Sequence, residues 1–329
     1  MHLADEETCP LAKRCIDSEN QFVKIIQFSK NSCFQTSLNK TVASLMHVVT
    51  LNTLAHILKK EHHQIVQENV PYSCYEVLKL ENWSKCRYWN TSIFDRNRVI
   101  LPTEDGGNDF INASYVDGHN VKRRFLCTQA PLQETAQDFW KMIFTHQVRV
   151  IVMLTRIVEK GREACYPYWS PKKRGKAVHG KFTIKTLKIK SFRYYMVTSL
   201  RVTDDTGASL DVQHFAYTDW PKNSLPRDPS KFLDFVLSVR EDGPELGPII
   251  VHCSAGVGRT GVFCVIDSCL NQLLKTKTIS VPETVLKIRQ QRFSSVSVTE
   301  QYVFIYRILY EFVKLFETCS VKRNSMRVG

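Results

Sequence analysis

No Cys-x-x-Cys pair occurs anywhere in this chain, and its eleven cysteines form an odd number. A structural zinc ribbon therefore has no support, and so few cysteines do not build a disulfide scaffold of 329 residues. Most should be reduced, buried small hydrophobes, with Cys253 the one needing separate treatment. No span is long and apolar enough to cross a bilayer. The opening MHLADEETCPLAKRC carries acids where a secretion signal would carry a basic flank and an apolar segment. These absences predict a soluble protein of the cytoplasm, with access to the nucleus. No internal repeat appears, no linker is rich in Gly, Pro or Ser, and no His/Cys/Asp cluster has ligand spacing. Neither a metal nor an organic cofactor is expected.

What is present suits a globular domain. Apolar residues make up 43% and charged residues 23%, outside the range of disordered, collagenous or coiled-coil chains. Eighteen Phe, twelve Tyr and five Trp supply a core, and a chain near this length buries about three quarters of its unfolded surface. Lys and Arg number 45 against 32 Asp and Glu, a net charge of +13. The excess is dispersed, densest at Lys172-Lys173-Arg174 with Lys176 close behind. A solvated turn or steering toward acidic or phosphorylated ligands accounts for it, and no nucleic-acid partner is expected.

Residues 1–40 read as a variable polar arm with a helical segment at Phe22–Phe28. From Ala43 to Gln67, Leu45, Val48, Leu51, Leu58 and Ile65 fall at helical spacing. His62 and His63 lie on that helix without companions at ligand spacing and read as surface or packing residues. Residues 68–130 are loop-rich with brief strands. Val148–Leu154 is the first buried strand, followed by strands over 181–184, 195–202 and 212–217. Ile249-Ile250-Val251 is a short central strand, and helices follow over 260–275, 282–291 and 299–316. The pattern predicts one α/β domain over 41–318 and a basic polar tail over 319–329.

The most informative segment is His252-Cys253-Ser254-Ala255-Gly256-Val257-Gly258-Arg259-Thr260-Gly261. A strand ends before it and a helix begins within it. Successive backbone N–H groups in such a loop converge on one point, and the helix terminus adds positive potential. Gly256 and Gly258 permit tight curvature and close approach. Cys253 at the loop's start would sit among those donors as a nucleophile. Arg259 can hold two oxygens of a phosphate bidentately, and the Thr260 hydroxyl can assist a sulfur leaving group. A Cys-x5-Arg spacing alone arises by chance; the strand–loop–helix setting with both glycines inside it does not. No Gly-Lys-Ser/Thr follows, so this is not a nucleotide P-loop.

With these residues the chain resembles the catalytic domain of the classical protein-tyrosine phosphatases, over roughly residues 60–318. Lys85-Cys86-Arg87-Tyr88, Phe94-Asp95 and Arg98-Val99 are similar to that family's phosphotyrosine-recognition loop. Asp109-Phe110-Ile111-Asn112-Ala113-Ser114 and Thr128-Gln129-Ala130-Pro131 match two further motifs. Tyr168-Trp169 and His214-Phe215-Ala216-Tyr217 lead to the movable acid loop, here Thr218–Asn223. Arg289, Arg292, Gln301 and Tyr302 fall in the segment of the water-positioning glutamine. The resemblance implies a highly twisted mixed sheet flanked by helices, with the phosphate-binding loop (Cys253, Ser254, Ala255, Gly256, Val257, Gly258, Arg259) between strand and helix. It implies phosphotyrosine-containing protein partners, Tyr88 as an aromatic wall, and Arg87 as a structural pair.

The departures from the family pattern concern one half of the chemistry. Where the family has Trp-Pro-Asp, this chain has Trp220-Pro221-Lys222, so the general-acid position holds lysine, with Asp219 the nearby substitute. Ser297 stands for the water-orienting glutamine, Ala164 for the lysine accompanying the acid loop, and Asn90 for an aspartate that grips the bound peptide. The cradle and ring pocket (Cys253, Arg259, Tyr88, Gln301) are kept. This combination also resembles the phosphatase-like proteins encoded by symbiotic viruses of parasitoid wasps, which act in host insect cells and are linked to suppressed immune-cell adhesion and phagocytosis. The expectation is phosphotyrosine recognition with impaired turnover. An active phosphatase working through a Cys253 phosphocysteine and a phosphate-independent scaffold are the alternatives.

Overall fold

The central strands are those whose sequence leaves no polar face. β4 (Val150–Met153) and β11 (Ile249–His252) are buried at every position, as strands covered on both faces must be. In the computed structural model, which describes residues 52–68, 71–103, 106–242 and 248–325, they lie side by side in parallel. β3 (Val121–Thr128) flanks β11 and β10 (Ser209–Tyr217) flanks β4, both in parallel. Antiparallel strands complete each side: β1 (Arg98–Ile100) and β2 (Phe110–Gly118) beyond β3, then β9 (Tyr195–Thr203), β8 (Phe182–Ser191) and β7 (Lys176–His179) beyond β10. The order is β1-β2-β3-β11-β4-β10-β9-β8-β7, a nine-stranded mixed sheet. A ribbon of β5 (Val158–Glu159) and β6 (Arg162–Glu163) stands apart from it.

Alternation along the central strands divides the core. Ile249, Val251, Val150 and Val152 face a layer holding Phe232, Val262, Val285 and Ile305. These come from α5 (Pro229–Asp242), α6 (Gly258–Thr276), α7 (Val281–Arg289) and α8 (Thr299–Ser325). Ile250 and Ile151 face Phe139, Trp140 and Met142 of α4 (Ala136–Thr145) on the other side. Among the described residues the remaining α-helices are α1 (Asn52–Gln67) and the one-turn α2 (Tyr75–Leu78) and α3 (Leu80–Trp83). Because β3, β11, β4 and β10 are parallel, the loops leaving them gather along one edge, where ligand sites of such sheets form.

The expected strands and helices near residues 150–316 are all present with shifted ends. α8 runs on to Ser325, past the expected end at Phe316. α4 and α5 were not anticipated, and β2 and β3 are longer than brief strands. The polar arm with its segment at 22–28, Leu45, Val48, Leu51 and residues 326–329 of the tail lie outside the described residues. Leu58 and Ile65 are buried as their spacing predicts. His63 is exposed, whereas His62 is buried, with Nε2 at 3.0 Å from the Val296 carbonyl and Nδ1 at 3.2 Å from the Thr299 hydroxyl.

Candidate active site

Residues 253–257 leave the carboxyl end of β11 and turn into α6. Gly256 has φ +72°, and a Cβ there would lie 2.2 Å from the Thr128 carbonyl oxygen. Only glycine tolerates both the left-handed backbone and that approach. The turn brings the Gly256 N–H to 3.2 Å from Cys253 Sγ, so the donor points at the sulfur. Cys253 is 5% exposed.

The carbonyls of the loop are drawn the opposite way. Arg292, fully buried, donates to Gly256 O at 3.0 Å and Ala255 O at 3.4 Å, and also to Asn112 Oδ1 at 2.8 Å and Ser114 Oγ at 3.2 Å. Burial pulls its pKa down to about 10. All four acceptors are neutral, so a cation without a carboxylate sits beneath the loop. Together with the start of α6 it favours an anion on the loop's open side.

Arg259 extends from the first turn of α6. Its Nη1 donates to Glu159 Oε1 at 2.7 Å and Leu154 O at 2.9 Å, and its Nη2 to Glu159 Oε2 at 3.1 Å. Burial works against the Glu159 charge, but the Arg259 bonds and charge, with donors from Thr155 and Arg156, hold its carboxyl below the usual value. Thr260 is buried and its hydroxyl has no hydrogen-bond partner among the described residues.

Tyr88 reaches the loop across the sheet edge, its hydroxyl 2.9 Å from Ser254 Oγ. Ser254 Oγ also donates to the Ala164 carbonyl at 2.9 Å, and its own carbonyl accepts the Ala130 N–H at 3.0 Å. Arg87 is structural as expected, donating to the Ala130 and Pro131 carbonyls at 3.2 and 2.6 Å and to Glu163 Oε1 at 3.2 Å. Asn90 is exposed, and Trp89 beside it is 94% exposed at the rim.

Gln301 and Ser297 meet over the start of α6. Gln301 Oε1 accepts the Ser297 N–H at 3.1 Å, and a Cβ on Gly258 would lie 2.8 Å from both Ser297 Oγ and Gln301 Nε2. On the opposite side, Trp220 is buried against Phe232 and Phe304 and donates Nε1–H to Ser224 O at 2.8 Å. Thr218 is held by Tyr194 O and Arg156. Lys222 is half-buried and takes no part in these bonds; Asp219, also half-buried, directly precedes the anchored Trp220 in the chain.

Behind the loop, Tyr168 OH lies 2.7 Å from both His252 Nε2 and His214 Nε2. His252 Nδ1 is 3.1 Å from the Cys253 carbonyl, so that nitrogen carries the proton and Nε2 accepts from Tyr168. Tyr168 must then accept from His214 Nε2–H, which leaves His214 Nδ1 the buried atom without a partner. Burial lowers His252 to about 4 and His214 to about 3. Both rings are neutral.

The structure thus brings Cys253, Arg259, Tyr88, Ser254, Ala164, Ser297 and Gln301 to one edge. Glu159, the underside role of Arg292 and the Tyr168–histidine chain escaped the sequence reading. The signals available for them were Glu159 at the head of the segment ending in Tyr168-Trp169 and the histidines within the matched motifs. Among the described residues no group of His, Cys, Asp or Glu could hold a metal ion, and no helix is long and apolar enough to cross a membrane. The site can bind a tetrahedral anion through backbone N–H groups and a guanidinium, with a sulfur facing its centre.

The family model for protein-tyrosine phosphatase matches residues 82–311. The chain is 44% identical over 290 residues to "Tyrosine phosphatase-like protein J1" of Microplitis demolitor bracovirus, covering 84% of this chain and 97% of that protein. It is 39% identical over 298 residues to "Tyrosine phosphatase H2" of the same virus, covering 86% and 91%. It is 34% identical over 287 residues to human "Tyrosine-protein phosphatase non-receptor type 9", covering 82% of this chain and 48% of that protein. By that match and these identities, this chain belongs to the protein-tyrosine phosphatase family.

Proposed function

We propose that this chain captures phosphotyrosyl proteins in the Cys253 loop and turns them over slowly. One observation supports the reading: the Gly256 N–H points at Cys253 Sγ and Glu159 holds Arg259 at the start of α6, whereas the family resemblance puts Lys222 at the acid-loop position. In turnover, Cys253 sulfur attacks phosphorus, the tyrosyl oxygen departs and needs a proton, and water then cleaves the phosphocysteine. An ammonium group is a weak proton donor at neutral pH, and a positioned acid is worth roughly 10²–10⁴-fold. Ser297 is too short to span the gap its glutamine counterpart would fill. Asp219 precedes the anchored Trp220, so bringing it in as the acid calls for a rearranged loop. Binding needs neither proton nor water. In the cytoplasm of a virus-infected host cell such a protein would compete for phosphotyrosyl sites, interfering with signalling, immune-cell adhesion and phagocytosis.

The test is binding and turnover together. Cys253→Ser should retain a phosphotyrosine peptide and lose it to vanadate. The wild type should hydrolyse an aryl phosphate with a good leaving group far better, relative to an ordinary family member, than a phosphotyrosine peptide. Peptide or protein binding that ignores vanadate would mean a scaffold; ordinary rates on both substrates would mean a working phosphatase.

A further inference from the structure

The far edge of the sheet carries charge that the cradle does not use. From Ser170 to Thr203 the chain has ten Lys or Arg residues and no Asp or Glu. These 34 residues supply 10 of the net +13, leaving +3 for the other 295.

Strand register sets where the charges point. Lys176 on β7 stands opposite Lys185 on β8, and Lys185 opposite Arg201 on β9. Directly paired residues share a face, so the three cations form one row. Past the bulge between Thr186 and Lys188, Lys188 pairs with Ser199 and Lys190 with Val197, on the face of β9 that holds Arg201. The basic 172–174 turn is tied to the same place: Arg174 N–H donates to Thr186 O at 3.0 Å, and Thr186 N–H to Gly175 O at 2.9 Å. Val178 and Leu187 are 56% and 41% exposed among these lysines. The described ion pairs here are Lys181–Asp205 at 3.8 Å and Arg201–Asp211 at 2.7 Å. Neither includes Lys176, Lys185, Lys188 or Lys190.

Like charges set directly opposite on adjacent strands destabilise a sheet. Lysine on an edge strand blocks edge-to-edge pairing, which accounts for Lys176. It also accounts for Lys188 and Lys190, which lie past the end of β7 on a stretch of β8 paired with β9 alone, but not for Lys185, which is paired with Lys176 on one side and Arg201 on the other. An anionic partner would offset the repulsion. We infer that this face docks on the anionic surface of a phospholipid bilayer. Clustered lysines are attracted to acidic headgroups, and the exposed Val178 and Leu187 suit the boundary between headgroups and acyl chains. Lysine outnumbers arginine seven to three in the stretch, which suits attraction to headgroups more than stacking on bases. The inference is independent of what the Cys253 loop does.

The full chain would be floated with phosphatidylcholine vesicles with and without phosphatidylserine, at low and physiological salt, with vanadate occupying the cradle. Binding should require phosphatidylserine, weaken with salt and ignore vanadate. It should fall about tenfold or more in Lys185→Glu/Lys188→Glu/Lys190→Glu, and in the same direction in the milder Lys188→Gln/Lys190→Gln. No serine-lipid dependence, loss of binding with vanadate, or undiminished binding by both variants would overturn the inference. So would tight binding of a short DNA duplex without vesicle binding.

Discussion

Arg259 meets Glu159 through two parallel hydrogen bonds, Nη1 to Oε1 at 2.7 Å and Nη2 to Oε2 at 3.1 Å. The carboxylate sits on the β5–β6 ribbon, outside the main sheet. The guanidinium is therefore oriented by an element that shares no strand with the loop it serves. Both side chains are largely buried, 11% and 4% exposed. Removing one partner of such a pair leaves a buried charge uncompensated, at about 3 kcal/mol. Glu159→Ala should unfold at lower urea and bind vanadate more weakly, while Glu159→Gln, which still accepts, should lose less of both. Unchanged vanadate affinity in Glu159→Ala would show that Arg259 needs no such partner.

The histidine chain sets an acid limit. His252 and His214 are held neutral with pKa values of about 4 and 3, against about 6.5 when unfolded. A lowered folded pKa gives stability that is present above pH 6.5 and lost as pH falls through 6.5 toward the folded value. For His252 the loss by pH 4 is about 3 kcal/mol. Urea midpoints at pH 7.5, 6 and 5 should fall in sequence, and His252→Gln should flatten that slope. A midpoint constant over this range would contradict the lowered pKa values of the two buried rings.

Gly256→Ala tests the loop itself. With φ at +72° and a Cβ placed 2.2 Å from a backbone carbonyl oxygen, the loop or β3 must move. Strain of this kind costs about 1–3 kcal/mol before the contact is counted. The variant should fold with a lower melting temperature and lose the stabilisation that vanadate gives the wild type. Retained vanadate stabilisation would mean the loop has another conformation that binds anions.

Legibility in the sequence followed how locally each feature is encoded. The β11–loop–α6 unit was readable because strand, glycines, Cys253 and Arg259 occupy ten consecutive residues or abut them. Glu159 was not, because its partner lies 100 residues away and a single glutamate before Lys-Gly looks like turn solvation. His62 reads as a surface or packing residue, and it is a packing one; the sequence could not show which, because its bonds go to Val296 and to Thr299 at the start of α8, far along the chain. α4 passed unread for another reason. Its aromatic-rich Ala136–Thr145 has modest helix propensity and is helical through packing of Phe139, Trp140 and Met142 on the sheet. The basic face was hidden because β7, β8 and β9 each carry only part of it, and only register assembles the row.

The position of Lys222 yields the most direct test of slow turnover. Trp220 is pinned by Ser224 O, and Ser224 N–H and Oγ return to Pro221 O at 3.3 and 3.1 Å, so the loop's shape does not depend on the lysine. Lys222→Asp should therefore leave the fold intact and, on the proposed reading, supply the carboxyl that the leaving oxygen needs. Turnover of a phosphotyrosine peptide should rise by about 10- to 100-fold, short of the full range because Ser297 and Ala164 are unchanged. The good-leaving-group substrate should gain much less, since it departs without a proton. Peptide affinity, measured in a Cys253→Ser background, should fall as a cation near the phosphate is replaced by an anion. A wild-type kcat equal to an ordinary family member's, together with a drop in Lys222→Asp, would make the lysine or Asp219 part of a competent active site and end the slow-turnover reading.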